Sequence, residues 1–204
     1  MSDEIASEIK ILLLGESNVG KTSIFNRFIS NTFDKNGGST IGVDFETKIL
    51  AYKNKKYSIR LFDTAGQERF RSITQNYYHM GDAFLFVFDL SNEHSFKSIP
   101  GWIESVKESI ENPKFIILAN KDDLKDKEKL SDEVINSELG KYNIIKTSAL
   151  KNINIAEAFE HMINLVVYNT FDIKNEKLIE NNQLSKNNSF RINKKKKRKG
   201  MKCC

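Results

Sequence analysis

Several features of secreted and membrane-embedded proteins are missing from this sequence. Among 204 residues there are two cysteines, Cys203 and Cys204, at the very end. A core without cysteine forms no disulfide bond, as expected in a reducing compartment. No apolar run approaches the ~18 residues of a membrane-spanning helix. The acidic residues 1–4 lack a signal-peptide pattern, and Ser2 stands where N-myristoylation requires glycine. We therefore expect a cytosolic protein.

Net positive charge is confined to the end of the chain. The formal net charge is +5, but residues 174–204 contain 11 Lys or Arg and 2 Glu, a net +9. Residues 1–173, with 21 basic and 25 acidic side chains, therefore carry −4. An evenly basic nucleic-acid-binding domain would look different, so no nucleic acid partner is expected. We predict a globular domain over residues 1–173 and a basic tail over residues 174–204.

The tail has a composition that does not favour a packed core. It is rich in Asn, Lys and Glu and buries too little apolar surface to offset chain entropy, which predicts disorder. Six consecutive basic residues, 194–199, precede the terminal cysteines. The basic run is compatible with nuclear import or nucleic acid binding, with a solvated tail, or with the electrostatic part of a membrane anchor. The cysteine pair favours the anchor, because exposed thiols at a chain end suit lipid attachment, although it is not a C-a-a-X box.

The strongest local motif is a glycine-containing loop at residues 15–22, GESNVGKT. It fits G-x-x-x-x-G-K-[ST], the phosphate-binding loop. An apolar, strand-like run at residues 9–14 precedes it, and Ile24, Phe25, Phe28 and Ile29 follow at helical spacing. Glycines let successive N–H groups converge on phosphate oxygens, and the helix N-terminus adds its positive end. The loop therefore predicts binding of a nucleotide phosphate rather than a plain strand-to-helix turn.

Apolar strand-like runs alternate with helical patterns along the rest of the globular part. The six runs are residues 9–14, 44–52, 57–63, 83–90, 115–119 and 143–147. The second and third flank a polar turn at residues 53–56 and predict a hairpin, which adds one antiparallel edge strand. Helices are expected near residues 21–30, over residues 96–110 with a kink or restart at Pro100, and over residues 155–170. This alternation predicts an α/β fold, a six-stranded, mostly parallel sheet with helices on both faces.

Three further polar segments follow predicted strands. They are Asp63 to Glu68, Asn120 to Asp123 and Thr147 to Ala149. A carboxylate after a strand can hold the hydration shell of Mg²⁺, and another can accept two hydrogen bonds from guanine but not from adenine. Each segment alone is compatible with an ordinary loop. Because all of them follow apolar strands, they could line one edge of one sheet, where doubly wound sheets bind ligands.

These motifs in combination resemble those of Ras-superfamily small GTPases, most closely the Rab branch. The resemblance covers about residues 9–170 and the terminal Cys203-Cys204 pair, and residues 41–45, IGVDF, favour Rab over its sister branches. It implies a small G-protein fold, GTP or GDP and Mg²⁺ as ligands, and slow GTP hydrolysis that a GAP stimulates.

The resemblance also implies roles for individual residues. The nucleotide phosphates would be bound by Gly15, Ser17, Asn18, Val19, Gly20, Lys21, Thr22, Ser23, Thr40 and Gly66. The guanine would be bound by Phe33, Asn120, Lys121, Asp123, Ser148, Ala149 and Leu150. Thr22, Thr40 and Asp63 would hold Mg²⁺, and Gln67 would orient the attacking water. Effectors would contact Ile41, Phe45, Phe62 and Tyr77, and Cys203 and Cys204 would carry lipids.

Some positions depart from the family pattern. Phe62 stands where Rab proteins usually have Trp, and His79-Met80 replaces the usual Arg-Gly after the paired tyrosines. Leu150 replaces a frequent Lys. Because Phe62 lies in the implied effector surface, the class of effector is the property most affected. None of these changes removes a catalytic group.

The expected function is a GTP/GDP switch of vesicle and membrane traffic. Its expected partners are an exchange factor, a GAP, effectors, the prenylation machinery and a GDI-type chaperone that covers the lipids. We expect a monomer on the cytosolic face of intracellular membranes, cycling with the cytosol. The alternatives are a GTP-binding scaffold with negligible hydrolysis and a small GTPase of another branch with a nuclear role through its basic tail.

Overall fold

The strands lie in an order that differs from their order along the chain. The computed structural model describes residues 5–34, 40, 42–64, 76–124 and 130–168. The strands are β1 (Ile5–Leu14), β2 (Val43–Tyr52), β3 (Lys55–Thr64), β4 (Ala83–Asp89), β5 (Phe115–Asn120) and β6 (Ile144–Lys146). They form one six-stranded sheet in the order β2-β3-β1-β4-β5-β6. Only the β2–β3 pair is antiparallel. The predicted sheet with one antiparallel edge strand is confirmed.

Five helices that lie wholly within the described residues cover the two faces of this sheet. They are α1 (Lys21–Ser30), α2 (Glu93–Lys97), α3 (Ile99–Ser109), α4 (Asp132–Leu139) and α5 (Ile155–Val167). Buried residues of α1 and α5 share one core cluster with Ile9, Ile11 and Leu13 of β1. Buried residues of α2, α3 and α4 share the other with Leu12 and Leu14. Successive residues of a strand point to opposite faces, so β1 is apolar on both and lies at the centre of the molecule.

The β2–β3 hairpin is tighter than the sequence predicted. Lys53 and Asn54 both have positive φ, 46° and 61°, and they alone form the turn. Lys55 and Lys56, which were expected in the turn, pair with Tyr52 and Ala51. A two-residue loop with both φ values positive matches the twist of the flanking strands.

The helices also differ from the prediction in detail. The pattern over residues 96–110 is divided into α2 and α3, with Pro100 in the first turn of α3, so the expected restart is confirmed. Helix α4 was not predicted, because it buries only Ile135 and Leu139 and its apolar pattern is correspondingly weak. The Ser131 side chain caps it by accepting a hydrogen bond from the Val134 N–H. Helix α5 ends at Val167, which is 38% exposed, three residues before the expected end.

This topology places the functional segments at one edge of the sheet. The loops after β1, β3, β5 and β6 all follow the carboxyl ends of strands that run in parallel. Ligands of open α/β sheets bind at that edge. Among the described helices, none is both long enough and apolar enough to cross a membrane.

Candidate nucleotide-binding site

Two glycines allow the loop between β1 and α1 to adopt its shape. Gly15 has φ of 141°, and a Cβ there would lie 2.2 Å from the carbonyl oxygen of Val87. Gly20 has φ of 96°, and its Cβ would lie 2.4 Å from Nδ2 of Asn120. Both positions combine a backbone conformation that side chains rarely adopt with a close approach of another part of the chain. The local motif is therefore fitted to the neighbouring strands β4 and β5.

Lys21 lies under this loop rather than in solvent. Its ammonium group donates hydrogen bonds to the carbonyl oxygens of Gly15, at 3.0 Å, and Glu16, at 2.8 Å. The residue is only 5% exposed. Burial lowers the pKa of Lys21 to about 8, although the negative charges of Asp63 and Glu16 act in the opposite direction. A phosphate at the loop would supply the negative charge that this buried ammonium favours.

Three oxygen-bearing side chains meet beside Lys21. The Thr22 hydroxyl donates to Oδ2 of Asp63 at 2.6 Å and lies 2.7 Å from the Thr40 hydroxyl. The Thr40 hydroxyl donates to the same Oδ2 at 3.3 Å. Asp63 is 2% exposed, and burial raises its pKa despite the hydrogen bond from Thr22 and the charge of Lys21. Within the described part of the chain, its Oδ1 is buried and accepts no hydrogen bond.

This donor set fits a magnesium ion. Mg²⁺ prefers oxygen ligands and usually takes only one or two carboxylates from a protein, keeping waters and substrate phosphates for its other positions. A buried carboxylate with an unpaired oxygen, between two hydroxyl groups, meets that requirement. A cation here would also favour the ionised form of Asp63, which burial alone disfavours.

Asn120 connects three loops of the site. Its Nδ2 donates to the carbonyl oxygen of Val19 at 2.9 Å. Its Oδ1 accepts from the hydroxyl of Thr147 at 3.4 Å and from the N–H of Ala149 at 3.3 Å. The side chain is 2% exposed, so these bonds replace the water it has lost. Asn120 therefore fixes the phosphate loop against the loops that follow β5 and β6.

Asp123 lies in the loop that follows β5, and Ser148 holds its carboxylate. The Ser148 hydroxyl donates to Oδ1 of Asp123 at 2.5 Å and accepts from the N–H of Lys151 at 3.0 Å. Two residues earlier, Lys121 has a positive φ of 68°, and its ammonium pairs with Oδ2 of Asp89 at 2.7 Å. The carboxylate that the sequence assigned to guanine is thus positioned by the last predicted loop.

Sequence reasoning missed three residues that support the site. Asp89 ends β4 and pairs with Lys121, and Trp102 donates from its indole Nε1 to Oε1 of Glu16 at 3.1 Å. Arg27 of α1 donates to the carbonyl oxygens of Ala149 and Leu150. Asp89 at the end of an apolar strand was a signal that could have been used. The contacts of Arg27 with Ala149 and of Trp102 with Glu16 join residues that are distant in sequence and leave no local pattern.

The aromatic residues expected to contact effectors are not equally accessible. Phe45 on β2 is 54% exposed, whereas Phe62 on β3 is 3% exposed. The two side chains are paired across the strands, with ring centroids 5.5 Å apart. Tyr77 is partly buried and packs against the core cluster that contains Phe62. Phe45 therefore presents the apolar surface here, and the buried ring of Phe62 packs beside it on the neighbouring strand.

Five of the site residues assigned from the sequence lie outside the described part of the chain. They are Ile41, Gly66, Gln67, Cys203 and Cys204. Their assigned roles remain predictions, as does the boundary between the globular domain and the tail at residue 173. Phe33 is described and lies with its ring centroid 5.9 Å from Cζ of Arg27.

The sheet order, the glycine loop after the central strand and the polar loops at the same edge define a Ras-like P-loop protein. Comparison with known proteins agrees. The model of the Ras family matches residues 10–186. The chain therefore belongs to the Ras family of small GTPases, which implies binding of guanine nucleotides and hydrolysis of GTP.

Rab proteins are among its relatives. Over 172 residues the chain is 40% identical to the Ras-related protein Rab-19 of Xenopus laevis, a match that covers 82% of this chain and 81% of that protein. It is 35% identical to Rab-3C of Bos taurus over 161 residues, covering 77% and 70% respectively. It is 35% identical to Rab-3A of Homo sapiens over 165 residues, covering 77% and 73%.

Proposed function

We propose that this chain is a Rab-type switch that binds GTP with Mg²⁺, hydrolyses it, and recruits effectors in vesicle and membrane traffic only while GTP is bound. The observation that carries the proposal is the cluster of Thr22, Thr40 and Asp63 beside the buried ammonium of Lys21. It would place a cation and a lysine at the point where a strand-to-helix phosphate loop presents its N–H groups.

Each of these groups has a defined task in phosphoryl transfer. Lys21 would bind the β- and γ-phosphates, and Thr22, Thr40 and Asp63 would hold Mg²⁺, which neutralises charge on the phosphate oxygens when bound. Gly66 would donate its N–H to the γ-phosphate, and Gln67 would orient the water that attacks it. Catalysis in this class is mainly positioning and electrostatic stabilisation, so slow intrinsic hydrolysis with stimulation by a GAP is expected.

The guanine end would supply specificity. Asp123 would accept hydrogen bonds from the ring N–H and the exocyclic amine of guanine, and Ser148, Ala149 and Leu150 would form the loop near its carbonyl oxygen. The bond from Ser148 holds the Asp123 carboxylate in place before any base arrives. A pre-positioned, partly buried carboxylate discriminates between bases, because a base without the matching donors leaves it unpaired.

Thr40 gives the switch its dependence on the third phosphate. Its hydroxyl reaches both Thr22 and Asp63, although 18 and 23 residues separate it from them. A γ-phosphate and its cation would hold Thr40 in this position, and loss of that phosphate would release the segment that bears it. The exposed ring of Phe45, on the strand that follows Thr40, would then have different surroundings in the GTP and GDP states.

The tail would attach this switch to a membrane. Two lipid chains, on Cys203 and Cys204, would anchor the protein stably, whereas one chain gives only marginal binding. The six basic residues at 194–199 would add attraction to an anionic leaflet. We propose a monomer on the cytosolic face of intracellular membranes. Prenylation machinery would load it, a GDI-type chaperone would extract it, and an exchange factor and a GAP would regulate it.

Single-turnover release of phosphate from bound GTP tests the enzymatic part of the proposal. Wild-type protein should release phosphate at roughly 10⁻⁴ to 10⁻³ s⁻¹, as in the related Ras example, and Gln67→Leu should be slower, most visibly in the presence of a GAP. Gln183→Leu, in the tail, is the matched control and should behave as wild type. Equal rates for wild type and Gln67→Leu under both conditions would favour the scaffold with negligible hydrolysis.

The departure at Phe62 is the observation that keeps this scaffold as a second candidate. With a smaller ring beside Phe45 than the usual Trp, the surface offered to effectors differs from that of other Rab proteins. The branch with a nuclear role is distinguished by location. Accumulation of the full-length protein in the nucleus, with both cysteines intact, would favour it over membrane traffic.

A further inference from the structure

Arg27 joins two segments of the chain that are far apart in sequence. It lies in the last turn of α1. Its Nε donates to the carbonyl oxygen of Ala149 at 2.9 Å, and its Nη2 donates to the carbonyl oxygen of Leu150 at 3.1 Å. These partners are 122 and 123 residues away. The guanidinium therefore binds two consecutive carbonyl groups of the loop that follows β6.

The third nitrogen of the Arg27 guanidinium, Nη1, bonds a different segment of the chain. Nη1 of Arg27 donates to the carbonyl oxygen of Asn31 at 2.8 Å and lies 3.4 Å from its Oδ1. Asn31 is the residue that ends α1, in a left-handed conformation with φ of 57°. Two residues later, the ring of Phe33 faces the guanidinium, with its centroid 5.9 Å from Cζ. Arg27 thus contacts the segment that carries Phe33 as well as the loop at Ala149.

The loop at Ala149 is held from two directions. Its N–H donates to Oδ1 of Asn120 at 3.3 Å on the inner side, while its carbonyl oxygen accepts from Arg27 on the outer side. The Asn31 side chain adds a second connection, since its Oδ1 accepts from Nδ2 of Asn152 at 3.2 Å. Ala149 is 2% exposed, whereas Leu150 beside it is 41% exposed.

We propose that Arg27 is a positioning residue of the guanine pocket, which holds the loop 148–150 and the segment bearing Phe33 at a fixed separation and thereby lengthens the residence time of the nucleotide. This inference rests on the proposed function, in which Phe33 and loop 148–150 line the base. A planar guanidinium can serve three carbonyl groups in fixed directions at once. The rounder ammonium of lysine cannot reproduce that fork.

Nucleotide release from the full-length protein tests the proposal. Arg27→Lys keeps the charge and the aliphatic stem, so it removes chiefly the fork. GDP release in the presence of Mg²⁺ should become about tenfold faster, which corresponds to loss of one or two net hydrogen bonds. Hydrolysis of GTP already bound should change less than twofold, because the Arg27 side chain donates to Ala149, Leu150 and Asn31, none of which is assigned to the phosphates. Arg60→Lys is the matched control, since Arg60 on β3 pairs with the exposed Glu8 of β1 and is not assigned to the nucleotide, and it should leave the release rate unchanged.

A second nucleotide separates positioning from a general loss of structure. The compound 6-thio-GDP keeps the ring N–H and the amine of guanine but replaces its carbonyl oxygen with sulfur, a weak acceptor. Wild-type protein should release 6-thio-GDP faster than GDP. In Arg27→Lys the ratio of these two release rates should be about threefold smaller. A purely structural role would speed the release of both nucleotides equally, and that result would overturn the proposal. If Arg27→Lys does not fold, Arg27→Gln takes its place in the same measurement.

The same experiment distinguishes failure of the inference from failure of the proposed function. If wild-type protein binds GDP no better than ADP, the guanine pocket itself is wrong. If wild type prefers GDP but Arg27→Lys retains both the wild-type release rate and the wild-type ratio, only the role of Arg27 is wrong.

Discussion

The indole Nε1 of Trp102 donates a hydrogen bond to Oε1 of Glu16 across 3.1 Å. Trp102 is 1% exposed and belongs to α3, whereas Glu16 is the second residue of the phosphate loop. The main-chain oxygen of Glu16 also accepts from Nζ of Lys21 at 2.8 Å. Helix α3 therefore helps to fix the loop residue on which the buried lysine rests.

A double-mutant cycle measures the strength of this contact. We expect Trp102→Phe and Glu16→Ala each to lower the free energy of unfolding of the GDP complex. The coupling between them should be about 1 to 3 kcal/mol, because a hydrogen bond to a carboxylate is stronger than a neutral one. Urea denaturation of the four proteins supplies the numbers. If the two losses add within about 0.3 kcal/mol, the bond does not stabilise the loop.

Asp123→Asn should change the choice of base. An amide oxygen accepts as the carboxylate did, but the amide NH₂ opposes the donors of guanine, so binding of GDP should weaken by about 1.5 to 3 kcal/mol. Xanthosine diphosphate should bind better than to wild type, since it offers an acceptor at that edge. Competition binding with both nucleotides provides the measurement. Asp122→Asn is the matched control, and unchanged GDP affinity in Asp123→Asn would show that the wrong carboxylate was assigned.

Thr40→Ala should affect the two nucleotide states unequally. The Thr40 hydroxyl lies 2.7 Å from that of Thr22, but in the proposed cycle it binds Mg²⁺ only while the γ-phosphate is present. Release of a non-hydrolysable GTP analogue should therefore accelerate roughly tenfold, whereas release of GDP should change little. Chelation of Mg²⁺ should remove the difference between mutant and wild type.

Thr47→Ala, on the exposed part of β2, is the control for this measurement. It should release both nucleotides at the wild-type rate. Equal acceleration of GDP and of the GTP analogue in Thr40→Ala would contradict a role in sensing the γ-phosphate.

Changing both Cys203 and Cys204 to Ser should release the protein from membranes in cells that prenylate the wild type. It should then be found in the cytosol, or in the nucleus if the basic run acts as a nuclear import signal. Each single change should leave weaker attachment, because one lipid chain binds marginally. Neutralising residues 194–199 with the cysteines intact should weaken or redirect attachment without abolishing it. Fractionation at high salt is the measurement, and a double-Ser protein that stays with membranes would place the anchor elsewhere.

The elements that the sequence predicted correctly are those with a strong local signal. The six strands were visible as apolar runs, and the restart before α3 was visible because Pro100 has no N–H to continue a helix. Helix α4 was missed because two buried residues give too little periodicity. The strand β1 begins at Ile5 rather than at residue 9, because its first residues gain partners from β3 and not from apolar burial.

The residues of the site divide in the same way, into those that a local pattern reveals and those that only the fold brings together. The phosphate loop is recognisable from a local pattern, since its glycines, its lysine and the start of α1 are adjacent in the chain, although β4 and β5 pack closely against both glycines. The sequence by itself therefore determined the order of the elements, the phosphate loop and the family. The tertiary structure alone decided which distant groups meet, including Asp63 with Thr40, Asn120 with Val19 and Arg27 with Ala149. These contacts depend on the order of strands in the sheet, because parallel strands bring the loops at their carboxyl ends together whatever their separation along the chain.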